Sequence, residues 1–376
     1  MVNIKNITLK QGRLETSRLR HQPNSFTLVI RDDTQHVTRP LKGLITNHIN
    51  NNQLSKCARF NRQAKAGGPS MEEHVSDVVE NAYRSWMHKS LKSLGRYLDL
   101  DKSGLTSGAD NDFYVHLYEP EALVGEILHK TEKPDDGLGL DNPYYISLDD
   151  MITVPEGRGG DISFSRLFSL CGKDYFDYVA RPGHPSIADQ MMRVRADLQT
   201  RFEQTGEMAS IVLLEDNIRH ARMLNWLENK MDEAGLFEYA TLAGISTCFC
   251  SASPSELQDI THKGESVPVA IGVNYRGVNS DVQTPRDLMF DGFVVKINGE
   301  KGRLPGIFMD VASRFSVQEK FADEFKSDIR RINRSFCFEI KKALGVDVPL
   351  SWFISSEPVA HVTKMSPQTP MINIMK

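Results

Sequence analysis

The stretch Ile211-Val-Leu-Leu-Glu-Asp-Asn217 indicates most directly how this chain of 376 residues folds. Its four consecutive apolar residues followed by two acids are typical of a strand that is buried on both faces of a parallel sheet. Residues 217–234 have a helical pattern that ends before Gly235, and Phe237 to Ile245 is again strand-like. This strand–helix–strand alternation predicts a parallel sheet covered by helices.

The same alternation begins near residue 141. Tyr144 to Leu148 is a predicted strand, and a predicted helix over 186–200 follows Pro185. These elements, together with those around Ile211, predict a Rossmann-like α/β core over 141–250.

The sequence pattern changes after residue 250. Strands are predicted at 267–271 and 292–297, and Asn298-Gly299 is a favourable hairpin turn. A long amphipathic helix is predicted from about 316 to 344, because large apolar residues recur on one face. We therefore expect a β-rich region closed by a long helix over 251–345, followed by a C-terminal tail over 346–376.

The N-terminal part divides at the Gly- and Pro-containing cluster of residues 66–70. Before it, Phe26 to Arg31 is a predicted strand within a basic N-terminal region, 1–70. After it, a long amphipathic helix over 71–97 opens a segment of helix and loop, 71–140. The predicted fold class is therefore α/β.

Composition excludes some classes of protein. Hydrophobic residues make up 40% of the chain and charged residues 25%, which is ordinary for a globular protein. No run of about 18 apolar residues occurs, so no membrane-spanning helix is expected. The absence of a secretory signal and the odd number of cysteines favour a cytoplasmic location. Association into a homo-oligomer stays open.

Charge is distributed unevenly along the chain. Residues 1–70 contain 12 Lys and Arg and 3 Asp and Glu, whereas the remainder contains 33 and 46. The cluster from Lys56 to Lys65 also includes Phe60, a combination that suits nucleic acid. The expected partner of this region is therefore nucleic acid or an acidic protein surface; a solvated basic arm is the alternative.

Acidic residues follow two of the predicted core strands. Asp149 and Asp150 come after the strand at 144–148, and Glu215 and Asp216 after the apolar run that begins at Ile211. Ligands of open α/β sheets bind at the carboxyl ends of the strands. Carboxylates that meet there need a cation or shared protons, and Mg²⁺ bridging to a phosphate is the natural cation. The alternative is that these acids are loop residues or helix caps.

These residues resemble the haloacid-dehalogenase-like phosphohydrolases. The run from Ser147 to Thr153 is similar to the first motif of that family, and Leu214 to Asn217 is similar to its acidic, Mg²⁺-holding fourth motif. Tyr178 to Gly183 lies where the second motif ends a strand. The resemblance implies Asp149 as general acid or base and Glu215 with Asp216 as metal ligands. We therefore expect a Mg²⁺-dependent phosphoryl hydrolase or transferase that acts on a phosphorylated or nucleotide-like small molecule.

The chain departs from that family at three points. Ser147 occupies the position of the nucleophilic aspartate, Ala180 replaces a Ser or Thr, and the expected lysine is absent between the second and fourth motifs. The resemblance therefore implies an altered or lost phosphatase activity, with water or Ser147 as the nucleophile. A core without activity, acting as a binding or assembly module through residues 1–70, is a further alternative.

The strand at Ile211 also resembles the start of the phosphoribosyl-diphosphate loop of type I phosphoribosyltransferases. In that family two acids hold the ribose hydroxyls and a Thr- and Gly-rich loop wraps a phosphate. Here residues 217–222 contain neither glycine nor threonine. This resemblance implies glycosyl transfer, and it assigns Glu215 and Asp216 to the same crevice.

The candidate site is completed by cations and histidines near these strands. Arg181 and His184 belong to a Pro- and Gly-containing turn, and Arg219 and His220 follow the second acidic pair. The predicted catalytic residues are Asp149, Asp150 and His220; the predicted substrate-binding residues are Ser147, Arg181, His184 and Arg219; the predicted Mg²⁺ ligands are Asp149, Glu215 and Asp216. Asp99 to Asp110 also fits part of a calcium loop, for which a polar loop is the alternative.

Overall fold

Strands and helices alternate along most of the chain. The computed structural model describes residues 7–11, 26–31, 34–51, 70–102, 113–118, 120–133, 138–140, 142–149, 152–154, 156–168, 175–218, 221–250, 254–274, 293–304, 306–308, 312, 315, 317–352 and 363–375. The helices are α1 Thr34–Asn51, α2 Met71–Lys102, α3 Pro120–Glu132, α4 Ile187–Thr205, α5 Ala221–Glu233, α6 Pro254–Gln258, α7 Ala322–Leu344 and α8 Met371–Ile374. The strands are β1 Ile7–Gln11, β2 Phe26–Arg31, β3 Phe113–Tyr118, β4 Tyr144–Ser147, β5 Gly159–Asp161, β6 Phe164–Phe168, β7 Tyr175–Ala180, β8 Ala209–Ile218, β9 Ala240–Cys250, β10 Thr261–His262, β11 Glu265–Ser266, β12 Val269–Asn274, β13 Phe293–Ile297 and β14 Glu300–Leu304.

A five-stranded parallel sheet forms the α/β core. Its strand order is β5-β4-β8-β9-β12, and every neighbouring pair in it is parallel. In chain order this is 2-1-3-4-5, the order of flavodoxin-like doubly wound sheets. The predicted Rossmann-like parallel-sheet core is confirmed, and its last strand, β12, lies beyond residue 250.

Both faces of this sheet are covered. Helices α4 and α5 pack on one face, where Met191, Leu198 and Leu227 join a buried cluster with alternate strand residues. Helix α3 packs on the other face, where Ile127 contacts a smaller cluster that includes Leu214. Coverage of both faces explains the continuous apolar run at 211–214, because every side chain of that run is buried.

The strand that contains the acidic pair is longer than predicted. β8 runs on to Ile218 and α5 begins at Ala221, whereas the helical pattern suggested a helix from residue 217. The reason is pairing with β9, in which Asn217 lies opposite Phe249 and Ile218 opposite Cys250. The prediction of a helical start at Asn217 is therefore wrong by four residues.

The neighbouring elements are placed as follows. β9 begins at Ala240 rather than at the predicted Phe237, since residues Leu236–Glu238 form a 3₁₀ turn after Gly235.

A mixed sheet of order β14-β13-β6-β7 adjoins the core. The predicted turn Asn298-Gly299 is confirmed: both residues have positive φ and join the antiparallel strands β13 and β14. β1, β3 and β2 form a separate parallel sheet.

A second hydrophobic core joins segments that are distant in the sequence. Helices α1, α2 and α7 pack together with strands of the mixed sheet. The buried Trp86 Nε1–H on α2 donates a hydrogen bond of 2.7 Å to Asn333 Oδ1 on α7. The predicted C-terminal tail belongs to this core, because Val348, Leu350 and Met371 are buried in it. The predicted long helix is confirmed from Ala322, after a 3₁₀ turn that replaces its first residues.

Several predictions from the sequence fall partly or wholly outside the described residues. The basic cluster at 56–65 lies outside them, so nucleic-acid or acidic-protein binding by residues 1–70 stays a prediction. Residues 99–102 form the end of α2, and the rest of the candidate calcium loop lies outside. Within the described part of the chain, no helix is long and apolar enough to cross a membrane.

The close approach of β4 and β5 leaves no room for a side chain at Gly159. A Cβ atom at this position would lie 1.8 Å from the backbone oxygen of Tyr145, whereas a Cβ at Gly125 in α3 would meet nothing within 4 Å. We expect Gly159→Ala to lower the free energy of unfolding by about 1–3 kcal/mol through backbone displacement. We expect Gly125→Ala to raise it by about 0.5–1 kcal/mol, since alanine is the better helix former. Urea unfolding measures both, and equal stability of the two variants would contradict the strand pairing.

Candidate functional site

The carboxyl ends of β4 and β8 lie side by side at the topological switch point of the sheet, where the order of successive strands reverses. The two strands are neighbours, and Leu148 N–H, just after β4, donates a hydrogen bond of 2.9 Å to Leu214 O. The chain leaves β4 toward the face where Ile152 packs, and it leaves β8 toward the face covered by α5. Connections that diverge in this way leave a crevice between the strand ends, where doubly wound sheets bind ligands.

Four charged residues interact in this crevice. Asp149 follows β4, Glu215 and Asp216 belong to β8, and Arg181 follows β7. The charges of Asp216, Asp149 and Arg181 all act on the pKa of the Glu215 carboxyl group. We call this set the carboxylate crevice.

Glu215 is held in an unfavourable environment for a negative charge. Its relative exposure is 9%, and alternation along β8 places it on the same face as the buried Ile211 and Leu213. Burial raises the pKa of Glu215 well above its ordinary value of 4.5. The charge of Asp216, a hydrogen bond with Asp216 and the charge of Asp149 raise this pKa further, whereas Arg181 lowers it. Such perturbed carboxyl groups cluster at functional sites.

Arg181 is held in place by the backbone of β6. Its Nε–H donates a hydrogen bond of 2.8 Å to Phe164 O, and its backbone N–H donates one of 3.3 Å to Ser163 O. His184 N–H donates to Arg181 O at 3.0 Å and closes the turn. Gly183 has φ 90, which follows the pattern of a type II turn with Pro at its second position and Gly at its third. The predicted rigid cationic turn is confirmed as a turn.

A pocket of about 330 Å³ adjoins the crevice and shares Asp149 with it. Its floor is formed at the ends of β4 and β5, where Ser147 and Asp161 are register partners. Ser147 Oγ donates a hydrogen bond of 2.9 Å to Asp149 O, which ties the floor to the crevice. We call it the β4–β5 pocket; its polar lining residues are Ser147, Asp149, Thr153, Asp161, Ser163 and His184.

The buried side chain of Gln190, on α4, connects two parts of this pocket. Its Oε1 accepts a hydrogen bond of 2.6 Å from Ser163 N–H, and its Nε2 donates to Ser163 O at 3.1 Å. The same Nε2 donates to Pro185 O at 2.8 Å. Gln190 therefore holds the segment after β5 and the segment that carries His184 at a constant separation.

The donor set of the crevice suits a hard cation. Mg²⁺ is commonly held by one or two carboxylates together with waters and substrate phosphates. Glu215, Asp216 and Asp149 supply carboxylates whose mutual repulsion a cation would relieve. Among the described residues no group of three His, Cys, Asp or Glu side chains is placed to hold an ion alone. Asp149, Glu215 and Asp216 are among the described residues, so a Mg²⁺ site formed by these three carboxylates stays a prediction.

Not every predicted site residue can be located. Asp150, Arg219 and His220 lie outside the described residues, so their catalytic and substrate-binding roles stay predictions. Ser147, His184 and Asp149 are brought together in the pocket, and Arg181, Glu215 and Asp216 in the crevice.

Three further residues were missed by the reasoning from sequence. Asp161 and Ser163 enter the pocket because the short strand β5 ends there. The Gly159-Gly160 pair was the available signal, since glycines in a strand mark a close backbone approach. Gln190 could not be predicted from the sequence, because it lies next to Met191 on the buried side of an amphipathic helix, where its position indicates only core packing.

The chain was compared with known proteins in three ways. No family model, no curated protein and no solved structure matches it. The resemblances to haloacid-dehalogenase-like phosphohydrolases and to type I phosphoribosyltransferases therefore stay predictions.

The raised pKa of Glu215 predicts how stability depends on pH. Consider a carboxyl group whose pKa is higher in the folded than in the unfolded chain. Its contribution to the free energy of unfolding is fully present at pH values below the pKa that it has in the unfolded chain. That contribution is lost as the pH rises through the folded pKa. Glu215→Gln keeps a neutral side chain at every pH, so its melting temperature should exceed that of the wild type increasingly as pH rises from about 4.5.

Thermal unfolding over a pH series measures this difference. Glu207→Gln, at an exposed glutamate between α4 and β8, is the matched control and should follow the wild type at every pH. A constant offset between Glu215→Gln and the wild type would show that the pKa of Glu215 is not raised by folding.

Proposed function

We propose that the chain is a Mg²⁺-dependent enzyme that hydrolyses or transfers the phosphoryl group of a phosphorylated small molecule. The observation that carries this proposal is the excess of negative charge in the carboxylate crevice. Glu215 is buried next to Asp216 and Asp149, and Arg181 acts against their combined effect. An arrangement that disfavours its own ionisation is suited to a cation, and Mg²⁺ recruits phosphate oxygens.

Each residue of the crevice has a distinct part in this proposal. Asp216 and Glu215 would hold Mg²⁺, which when bound offsets the charge of the phosphate and polarises it. Arg181 would pair with phosphate oxygens through its guanidinium group, whose Nε–H is already bound to Phe164 O. Asp149, on the neighbouring strand end, would take the proton of the attacking hydroxyl group or water.

The hydrogen bond of the Ser147 hydroxyl group bears on which group acts as the nucleophile. The Ser147 hydroxyl donates its hydrogen to Asp149 O, so attack by Ser147 would require that hydrogen bond to break. A water molecule in the adjacent pocket needs no such change. We therefore assign the attack to water, with Ser147 as a residue that orients Asp149 and the substrate.

Asp216→Asn tests the proposed activity. A panel of phosphate esters is incubated with the wild type, with Mg²⁺ or with a chelator, and released phosphate is measured. We expect turnover that requires Mg²⁺, and a loss of about 100-fold or more in the variant, because an amide does not replace the carboxylate charge. Asp232→Asn, at an exposed position in α5, is the control and should retain wild-type turnover.

Two outcomes of that assay would contradict the proposal. One is a wild-type chain that releases no phosphate from any ester with Mg²⁺ present. The other is turnover that Asp216→Asn leaves unchanged, since the proposed metal ligand would then have no role.

Mg²⁺ binding should also release a proton. Below its raised pKa the Glu215 carboxyl group is protonated, and a cation that binds its oxygens displaces that proton. Affinity for Mg²⁺ should therefore increase with pH through the folded pKa. Calorimetric titration in two buffers of different ionisation enthalpy measures the proton release, which we expect in the wild type and in Glu207→Gln but not in Glu215→Gln. Equal release by all three proteins would contradict a metal role for Glu215.

A further inference from the structure

We propose that the β4–β5 pocket binds the hydroxyl-rich part of the substrate, so that the substrate is a sugar or polyol phosphate rather than a nucleotide or an aryl phosphate. This inference rests on the proposed function, because it assumes that the phosphate lies in the carboxylate crevice. Asp149 belongs to both the crevice and the pocket, so a phosphate ester held in the crevice extends its organic part into the pocket.

The size of the pocket favours a small group. Its volume is about 330 Å³, near the lower end of the range for small-molecule sites. This equals the liquid volume of about eleven water molecules at about 30 Å³ each. A single sugar ring fits such a space, whereas a dinucleotide does not.

The polar lining is rich in groups that accept hydrogen bonds. Asp149 and Asp161 provide carboxylates, and Thr153, Ser163 and His184 add hydroxyl groups and an imidazole. Ionised carboxylates only accept hydrogen bonds, so a ligand that matches them must donate several. Neutral hydroxyl groups do this, whereas a second anionic group on the ligand would be repelled.

The arrangement of Asp161 and Ser147 is suited to neighbouring hydroxyl groups. They are register partners on adjacent parallel strands, which are about 4.8 Å apart, and their side chains lie on the same side of the sheet. Two polar side chains at this separation can bind adjacent hydroxyl groups of one ring. Asp161 is exposed at the pocket floor and therefore reaches a ligand without rearrangement.

The apolar part of the lining excludes other substrates. Its apolar residues are Leu148, Ile152, Val154 and Ile162, of which Val154 is the one whose side chain is not buried in a core. Within the described lining there is no Phe, Tyr or Trp ring on which a base could stack, the imidazole of His184 being its one aromatic group, and there is no Lys or Arg that could hold a second phosphate. Recognition of an unpaired base normally uses such a ring. Aliphatic groups instead pack against the C–H face of a sugar.

Binding measurements on the full chain test this assignment. The probes are ribose 5-phosphate, glucose 6-phosphate, AMP, phenyl phosphate, inorganic phosphate and ribose, titrated calorimetrically with Mg²⁺ present. We expect one of the sugar phosphates to bind at least about tenfold more tightly than AMP and phenyl phosphate. We expect Asp161→Asn to weaken that probe about tenfold or more through loss of a charged acceptor, and to leave inorganic phosphate unchanged. Asp232→Asn should bind every probe like the wild type.

The outcomes separate this inference from the proposed function. Equal affinities for all phosphate esters, or tighter binding of AMP or phenyl phosphate, would overturn the inference and leave the phosphate site intact. An Asp161→Asn variant that keeps the preference for sugar phosphates would also overturn it. Binding of ribose without binding of inorganic phosphate would support the hydroxyl site and remove the proposed function. No binding of any probe would remove both.

Discussion

Parallel pairing of β4 with β8 is the contact on which the candidate site depends. The described residues that follow these strands pack on opposite faces of the sheet, Ile152 after β4 and Leu224 after β8. Because Leu148 N–H is hydrogen-bonded to Leu214 O, the segment that carries Asp149 leaves β4 beside the carboxyl end of β8, where Glu215 and Asp216 lie. If that register slipped by one residue, Glu215 would turn to the other face and the interaction among the acids would be lost.

The crevice lowers the stability of the fold through buried charge. Some buried polar groups elsewhere are paired, as Trp86 is with Asn333 and Gln190 is with Ser163 and Pro185, whereas the buried hydroxyl groups of Thr38 and Ser90 have no hydrogen-bond partner among the described residues. Glu215, in contrast, is buried next to like charges, which disfavours folding at neutral pH. Carboxyl groups with strongly perturbed pKa values cluster at functional sites, and this is why we place the proposed function at Glu215.

Patterns in the sequence were sufficient to predict the elements that local periodicity or turn chemistry determines. The apolar run at 211–214, the amphipathic helix α7 and the turn at Asn298-Gly299 depend on local periodicity and turn chemistry, and all were predictable. The extension of β8 to Ile218 was not, because pairing with β9 overrides local propensity. Asp161 was not predicted as a site residue for a related reason, because β5 is a three-residue edge strand without an alternating pattern of its own.

Convergence of the acids on a shared cation is the central claim, and a metal-bound structure tests it most directly. Crystals of the full chain grown with Mn²⁺, a detectable substitute for Mg²⁺, would locate the ion by its anomalous scattering. We predict a peak at metal–oxygen distance, about 2–2.6 Å, from the carboxylate of Asp216, with Glu215 or Asp149 as a second ligand. A crevice without density at saturating Mn²⁺, or ions bound only elsewhere, would contradict it.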